Sequence, residues 1–136
     1  MEPCISSIGI GIDIVNVRRI DALWQRFGDA FLRRIMAADE LQALQGECPV
    51  DAARLAGRWA AKEAVSKALG SGIRGFAMKD IVIINQPSGQ PCVILRGGAL
   101  ERARQMGYSN VLISISHEKD MAVAQAVAIG TSPAEL

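Results

Sequence analysis

Near its start the chain alternates large apolar residues with very small ones: Ile8, Ile10, Ile12 and Ile14 in one register, Gly9, Gly11 and Asp13 in the other. A period of two is strand periodicity, because successive side chains of an extended chain point to opposite faces. One face of this strand is greasy and the other nearly stripped of side chains. Bare glycines let a ligand or a second stretch of backbone come close. The carboxylate of Asp13 shares that open face.

From about Val17 the period changes to helical spacing, with Ile20, Leu23, Trp24, Phe27 and Phe31 recurring on one side and the arginines mostly elsewhere. Gly28-Asp29 breaks or kinks this segment, with Asp29 as the candidate N-cap. Asp39-Glu40-Leu41-Gln42 reads as a new helix start, Asp39 and Gln42 being spaced like a capping box. Gly46 to Pro49 is a loop. Asp51 to Leu69 is a sustained run of good helix formers, with an Asp at its start and Gly70 just past its end. At the helical rise it would extend about 28 Å.

Beyond it, Ile81–Ile84 and Cys92–Leu95 flank the turn-rich Pro87-Ser88-Gly89-Gln90-Pro91, which predicts a hairpin. Gly98 to Met106 predicts a short helix. Val111–Ser116 and Met121–Ile129 predict two strands around a tight His117-Glu118-Lys119-Asp120 turn. Residues 131–136 read as a loose tail. The order strand, helices, hairpin, helix, hairpin points to α+β rather than a doubly wound α/β sheet. At 136 residues the chain is most simply one domain, over residues 1–130.

Aromatic residues make up only 4% of the chain, so the core must be built from Ile, Val, Leu and Ala. Small core residues mean close helix–sheet packing, or a surface completed by another subunit. A net charge of +1 excludes a general polyanion binder, and RNA binding would need a broader basic surface with aromatic platforms. The charge is uneven, however. Arg18, Arg19, Arg26, Arg33 and Arg34 crowd one segment against Asp21 and Asp29; they form either a solvated helix face or a surface for an acidic partner. Cys4, Cys48 and Cys92 show no metal-ligand spacing and predict free thiols in a reducing compartment. The N-terminus shows no basic leader, and the uncharged stretch Met121 to Ala134 is too short to span a bilayer. The expected location is cytoplasmic.

Chemistry concentrates in a few positions. Asp13 at a strand end and Glu63 on the long helix could together hold a hard divalent cation, with Lys67 holding a phosphate beside it. That combination suggests nucleotide-derived substrates and phosphoryl-type transfer. The bland alternative for Glu63 and Lys67 is an exposed i, i+4 ion pair worth about 0.3–0.5 kcal/mol. Arg58 and Lys62, also four apart, would repel mildly unless an anion lies near. Gly70-Ser71-Gly72-Ile73-Arg74-Gly75 fits G-x-G-x-x-G, but it follows a helix instead of joining a strand to a helix N-terminus, so it is not a dinucleotide fingerprint. A C-cap explains Gly70. His117 is the only histidine; its ordinary pKa near ~6.5 suits a base that takes a proton from a hydroxyl.

Gly11-Ile12-Asp13-Ile14-Val15 with Arg19-Ile20, then Arg58-Trp59-Ala60-Ala61-Lys62-Glu63-Ala64 with Lys67-Ala68 and Gly70-Ser71-Gly72-Ile73, then Ile113-Ser114-Ile115-Ser116-His117, together resemble holo-acyl-carrier-protein synthase, the small bacterial type of 4′-phosphopantetheinyl transferase. The resemblance covers nearly the whole chain. It implies that family's fold, an antiparallel sheet packed with helices, and a homotrimer with sites shared across subunit interfaces. It implies Asp13 and Glu63 as Mg²⁺ ligands and coenzyme A as substrate. Lys67 would lie at the phosphates, supported by Arg58, and Gly70, Ser71 and Gly72 near the nucleotide. Glu63, Lys67 and His117 would be the catalytic residues, with His117 the candidate general base and a metal-activated water or a carboxylate its rival. Arg19 and Arg26 would meet acidic acyl carrier protein. The implied reaction moves phosphopantetheine to a carrier serine and releases adenosine 3′,5′-bisphosphate.

Two positions depart from the family pattern: Asn16 stands where many relatives carry an acid, and Gln90 replaces a common lysine. The alternatives are a sister transferase serving polyketide or peptide-synthase carriers, and a non-catalytic module binding acidic proteins.

Overall fold

The alternating segment forms strand β1 (Pro3–Asn16), the first element of a computed structural model that describes residues 3–47, 49–70 and 75–133. Asn16 ends the strand and caps helix α1 (Val17–Phe27), its side chain accepting a hydrogen bond from the Arg18 amide at 2.8 Å. Gly28, at φ +57°, turns the chain into α2 (Asp29–Ile35). Gly28 itself is the N-cap and Asp29 the first helical residue, so the cap expected at Asp29 is not made. Only glycine takes this backbone conformation without strain.

Helix α3 (Ala38–Glu47) also starts differently from its sequence signature. Glu40, not Gln42, reaches back to the Ala37 amide at 3.2 Å, while Asp39 turns outward to Arg96 at 2.6 Å. Helix α4 (Ala52–Ala68) is capped by Asp51, as its sequence predicts, through the Arg54 amide at 2.8 Å. The hairpin of β2 (Ile81–Asn85) and β3 (Pro91–Leu95), the helix α5 (Gly97–Gln105), and the strands β4 (Asn110–His117) and β5 (Met121–Pro133) complete the α+β order. Thr131, Ser132 and Pro133 continue β5 opposite Ile5, Cys4 and Pro3, so no loose tail begins at Thr131.

The main sheet has the order β1-β5-β4, antiparallel throughout, with β2-β3 as a separate ribbon. Helix α4 lies across the inner face of the three-stranded sheet. Its Ala60, Ala61, Ala64 and Ala68 meet Ala122, Ala124, Ala126 and Ala128 of β5, all buried. Methyl-sized side chains on both layers permit the close helix–sheet approach that the aromatic-poor composition implies. The approach is closest at β1, where a Cβ on Gly11 would strike the Ala64 carbonyl and come within 2.8 Å of the Ala68 nitrogen. The bare glycine face is thus filled by a helix backbone. The isoleucine face points the other way and is exposed: Ile8 60%, Ile10 69%, Ile12 61% and Ile14 64%.

Candidate active site

Because β1 and α4 touch through glycine, side chains flanking the contact converge. Asp13 sits one inward position beyond Gly11, and Glu63 and Lys67 are successive turns of α4 on the side facing β1. Lys67 Nζ lies 3.2 Å from Asp13 Oδ1 and donates to the Ile12 carbonyl at 2.9 Å. The ammonium therefore bonds across the helix–strand seam, and Lys67 serves as more than a surface partner for Glu63. Burial, and next the Asp13 carboxylate opposite, push the Glu63 carboxyl above its usual range, while Lys67 and Arg19 pull it back. Two carboxylates facing each other in a partly dehydrated seam repel when both ionise, and a cation relieves that repulsion. Among the described residues no group of three or more His, Cys, Asp and Glu comes together.

Beside Glu63 opens a hollow of about 590 Å³ lined mainly by apolar side chains, among them Leu23, Phe31, Trp59 and Met78, with Arg34 at its edge. Phe31 and Trp59 stack at 6.0 Å between centroids, and Arg19 lies over the Trp59 ring at 5.9 Å from its centroid. The arginine-rich segment thus borders the carboxylates. Arg26 lies over Phe27, itself half-exposed, at 5.0 Å.

Other sequence candidates fall elsewhere. Arg58 and His117 share a second hollow of about 210 Å³ with Arg54, Gly57, Asn85, Pro91 and Ile115. Arg58 is buried and donates to Asn85 Oδ1 at 3.0 Å. His117 lies on β4, opposite Ala122, which in turn faces Val15. The central strand therefore separates the histidine from Asp13 within one chain. Gly70, at φ +83°, follows α4 and donates its amide to Lys67 O at 3.0 Å, the C-terminal turn its sequence predicts. Ser71 and Gly72 lie outside the described residues. Cys4 and Cys92 are free thiols.

Lys62 was not singled out by its sequence as more than a neighbour of Arg58, yet it is fully buried. Its ammonium contacts Glu40 Oε1 at 2.8 Å, the Met78 carbonyl at 3.1 Å and the Ile81 carbonyl. The second Glu40 oxygen accepts from the Ile83 amide at 2.9 Å. Burial pulls the Lys62 ammonium below its ordinary pKa, and Glu40 opposes that shift. The only available signal was its place on an otherwise alanine-rich helix face.

Residues 9–126 match the 4′-phosphopantetheinyl transferase superfamily. The chain belongs to that family. Curated relatives named holo-[acyl-carrier-protein] synthase include those of Solidesulfovibrio magneticus, 44% identical over 90% of this chain and 98% of the relative, and Gloeobacter violaceus, 41% identical over 89% and 92%. Among solved structures, the acyl carrier protein synthase of Plasmodium yoelii with ADP bound superposes with TM-score 0.85 at 34% identity, covering 97% of this chain and 100% of that one. The Helicobacter pylori holo-[acyl-carrier-protein] synthase in complex with coenzyme A gives 0.76 at 34% identity, over 88% and 98%. As a member of this group of phosphopantetheinyl transferases the chain is an enzyme, a transferase, and the fold expected from its motifs is the one observed.

Proposed function

We propose that this transferase moves the 4′-phosphopantetheine group of coenzyme A to a serine of apo acyl carrier protein. The observation that carries the reading is the meeting of Asp13, Glu63 and Lys67 at the α4–β1 seam. Relatives bearing the synthase name, and one solved with coenzyme A, support the substrate pair. The donor set fits Mg²⁺: two carboxylates on separate elements supply hard oxygens, and Mg²⁺ usually takes one or two protein carboxylates beside substrate phosphates. A bound Mg²⁺ would offset negative charge on the oxygen leaving the β-phosphorus. Lys67, held between Asp13 and the Ile12 carbonyl, supplies a second positive charge for the phosphates. The carrier serine oxygen bonds to the β-phosphorus as the bridging P–O bond breaks, and adenosine 3′,5′-bisphosphate departs with the electron pair.

Arg19 and Arg26 on α1 and Arg34 at the rim of the larger hollow suit an acidic, amphipathic carrier helix, whose apolar side would meet Leu23, Phe27 and Trp59. The active assembly is a homotrimer closed over the isoleucine face. β1 and β4 are the two edges of the sheet, so a ring of three sheets sets β4 of one subunit beside β1 of the next. That arrangement gives His117 and Arg58 a place at the neighbour's carboxylates, His117 accepting the serine proton and Arg58 supporting the nucleotide's anion.

Incubation with coenzyme A, Mg²⁺ and an apo carrier tests the reading by mass spectrometry. The carrier gains the phosphopantetheine mass, and chelation of the metal abolishes the gain. No mass gain on any acyl, polyketide or peptide-synthase carrier refutes it, while gain on the latter carriers alone assigns the sister activity.

A further inference from the structure

The geometry points to the buried Lys62–Glu40 pair as the positioning device that holds Glu63 and the wall of the larger hollow in their working arrangement. The inference rests on the proposed reading of Asp13 and Glu63 as cation ligands. Lys62 immediately precedes Glu63 on α4, so whatever fixes the rotation and height of one fixes the other.

Lys62 reaches three separate segments. Its ammonium meets Glu40 on α3, the Met78 carbonyl in the short 3-10 turn, and the Ile81 carbonyl at the start of β2. Glu40 extends the bracing, accepting the Ala37 amide before α3 and the Ile83 amide on β2. One ion pair thereby fastens α4 to three elements that do not otherwise belong to the helix–sheet layer. Met78 lines the hollow on which Trp59 and Glu63 also border, so the same ammonium sets both sides of that opening.

The alanine contacts between α4 and β5 cannot do this alone. Methyl groups are nearly isotropic and tolerate rotation or sliding of a helix with little penalty. Hydrogen bonds weaken steeply with angle, and an ammonium tied to three fixed acceptors admits few helix orientations. Replacing a buried ion pair by packed apolar groups is often neutral for stability, so persistence of the fold and loss of position are separable. Lys62 touches neither carboxylate of the seam and is a positioning residue.

The test uses the full chain carrying Glu40→Leu with Lys62→Met, read by equilibrium Mn²⁺ titration followed through tryptophan fluorescence, without substrate, and by KM and kcat with coenzyme A. In the folded double variant the metal half-saturation rises about tenfold and the KM for coenzyme A rises with it, because displacement of reacting groups by about 1 Å is enough for large losses. Unchanged metal half-saturation in the folded double variant overturns the inference, whatever its melting temperature. Should the double variant not fold, Glu40→Gln, which keeps volume and an acceptor, carries the same measurement: a weakened metal titration supports the inference and an unchanged one overturns it. Glu63→Gln is the separate control. If it binds Mn²⁺ as the parent does, the cation reading of the seam fails, independently of any role for Lys62.

Discussion

Substituting Gly11 by alanine tests the link between backbone packing and the site. The added Cβ would strike the Ala64 carbonyl, lie 2.8 Å from the Ala68 nitrogen and 2.9 Å from Lys67 Cβ. Two of these three obstacles are helix backbone, which cannot swing aside as a side-chain tip could. Relief requires α4 to withdraw from β1 by about 1.5 Å, restoring ordinary contact distances. Overpacking of this kind costs about 1–3 kcal/mol, and the backbone obstacles place Gly11→Ala at the upper end. At about 3–4 °C per kcal/mol for a domain of this size, the melting temperature falls by about 10 °C.

The same withdrawal separates Asp13 from Glu63 and Lys67, and a misplacement of about 1 Å costs about 10²-fold in kcat/KM. Calorimetric melts and steady-state transfer assays at a temperature where the variant stays folded measure the two effects. Gly46→Ala is the control, since a Cβ there meets nothing within 4 Å. A Gly11→Ala protein that melts within about 2 °C of the parent and turns over normally would refute the reasoning, because the seam would then not depend on backbone contact.

Glu63→Gln should abolish metal-dependent transfer while leaving the melting temperature unchanged or slightly raised, because burial and Asp13 already disfavour the ionised carboxyl. The sign follows for pH. With its folded pKa raised above the unfolded value, Glu63 weakens the metal-free protein as pH climbs through that raised pKa, and metal binding falls as pH drops through it; the acid limb of a metal titration should move to lower pH at higher Mg²⁺. Asp39 behaves oppositely: Arg96 lowers its pKa to about 2, so the stability it contributes is complete above the ordinary value of 3.8 and is lost as pH falls toward 2, and Asp39→Asn should remove that part of an acid-denaturation profile. Ile12→Lys on the exposed face should convert the proposed trimer to smaller species by light scattering with little change in protomer secondary structure; an unchanged mass would reject assembly through that face.

Much of the fold was legible because its signals are local. The period of two in Ile8 to Ile14, the caps at Asp51 and Gly70 and the turn residues between β2 and β3 act within a few residues, and each element formed where those residues put it. Asp29 and the Asp39–Gln42 pair misled for a related reason. Several cap chemistries compete for one helix start, and Gly28 and Glu40 won through a backbone angle and a buried partner that local spacing does not reveal. At the site, Asp13, Glu63 and Lys67 were readable as a motif, whereas the division that puts Arg58 and His117 in a second hollow was not.

By itself the sequence determined an acid-bearing strand with one bare face and a long alanine-rich helix, and it left either a ligand or another backbone to fill the glycine face. Tertiary structure decided the rest. It turned the isoleucines outward, sank Lys62 among carbonyls from three segments, and set His117 on the opposite edge from Asp13. Burial and strand order are properties of how whole elements stack, and no window along the chain contains both members of any of those contacts.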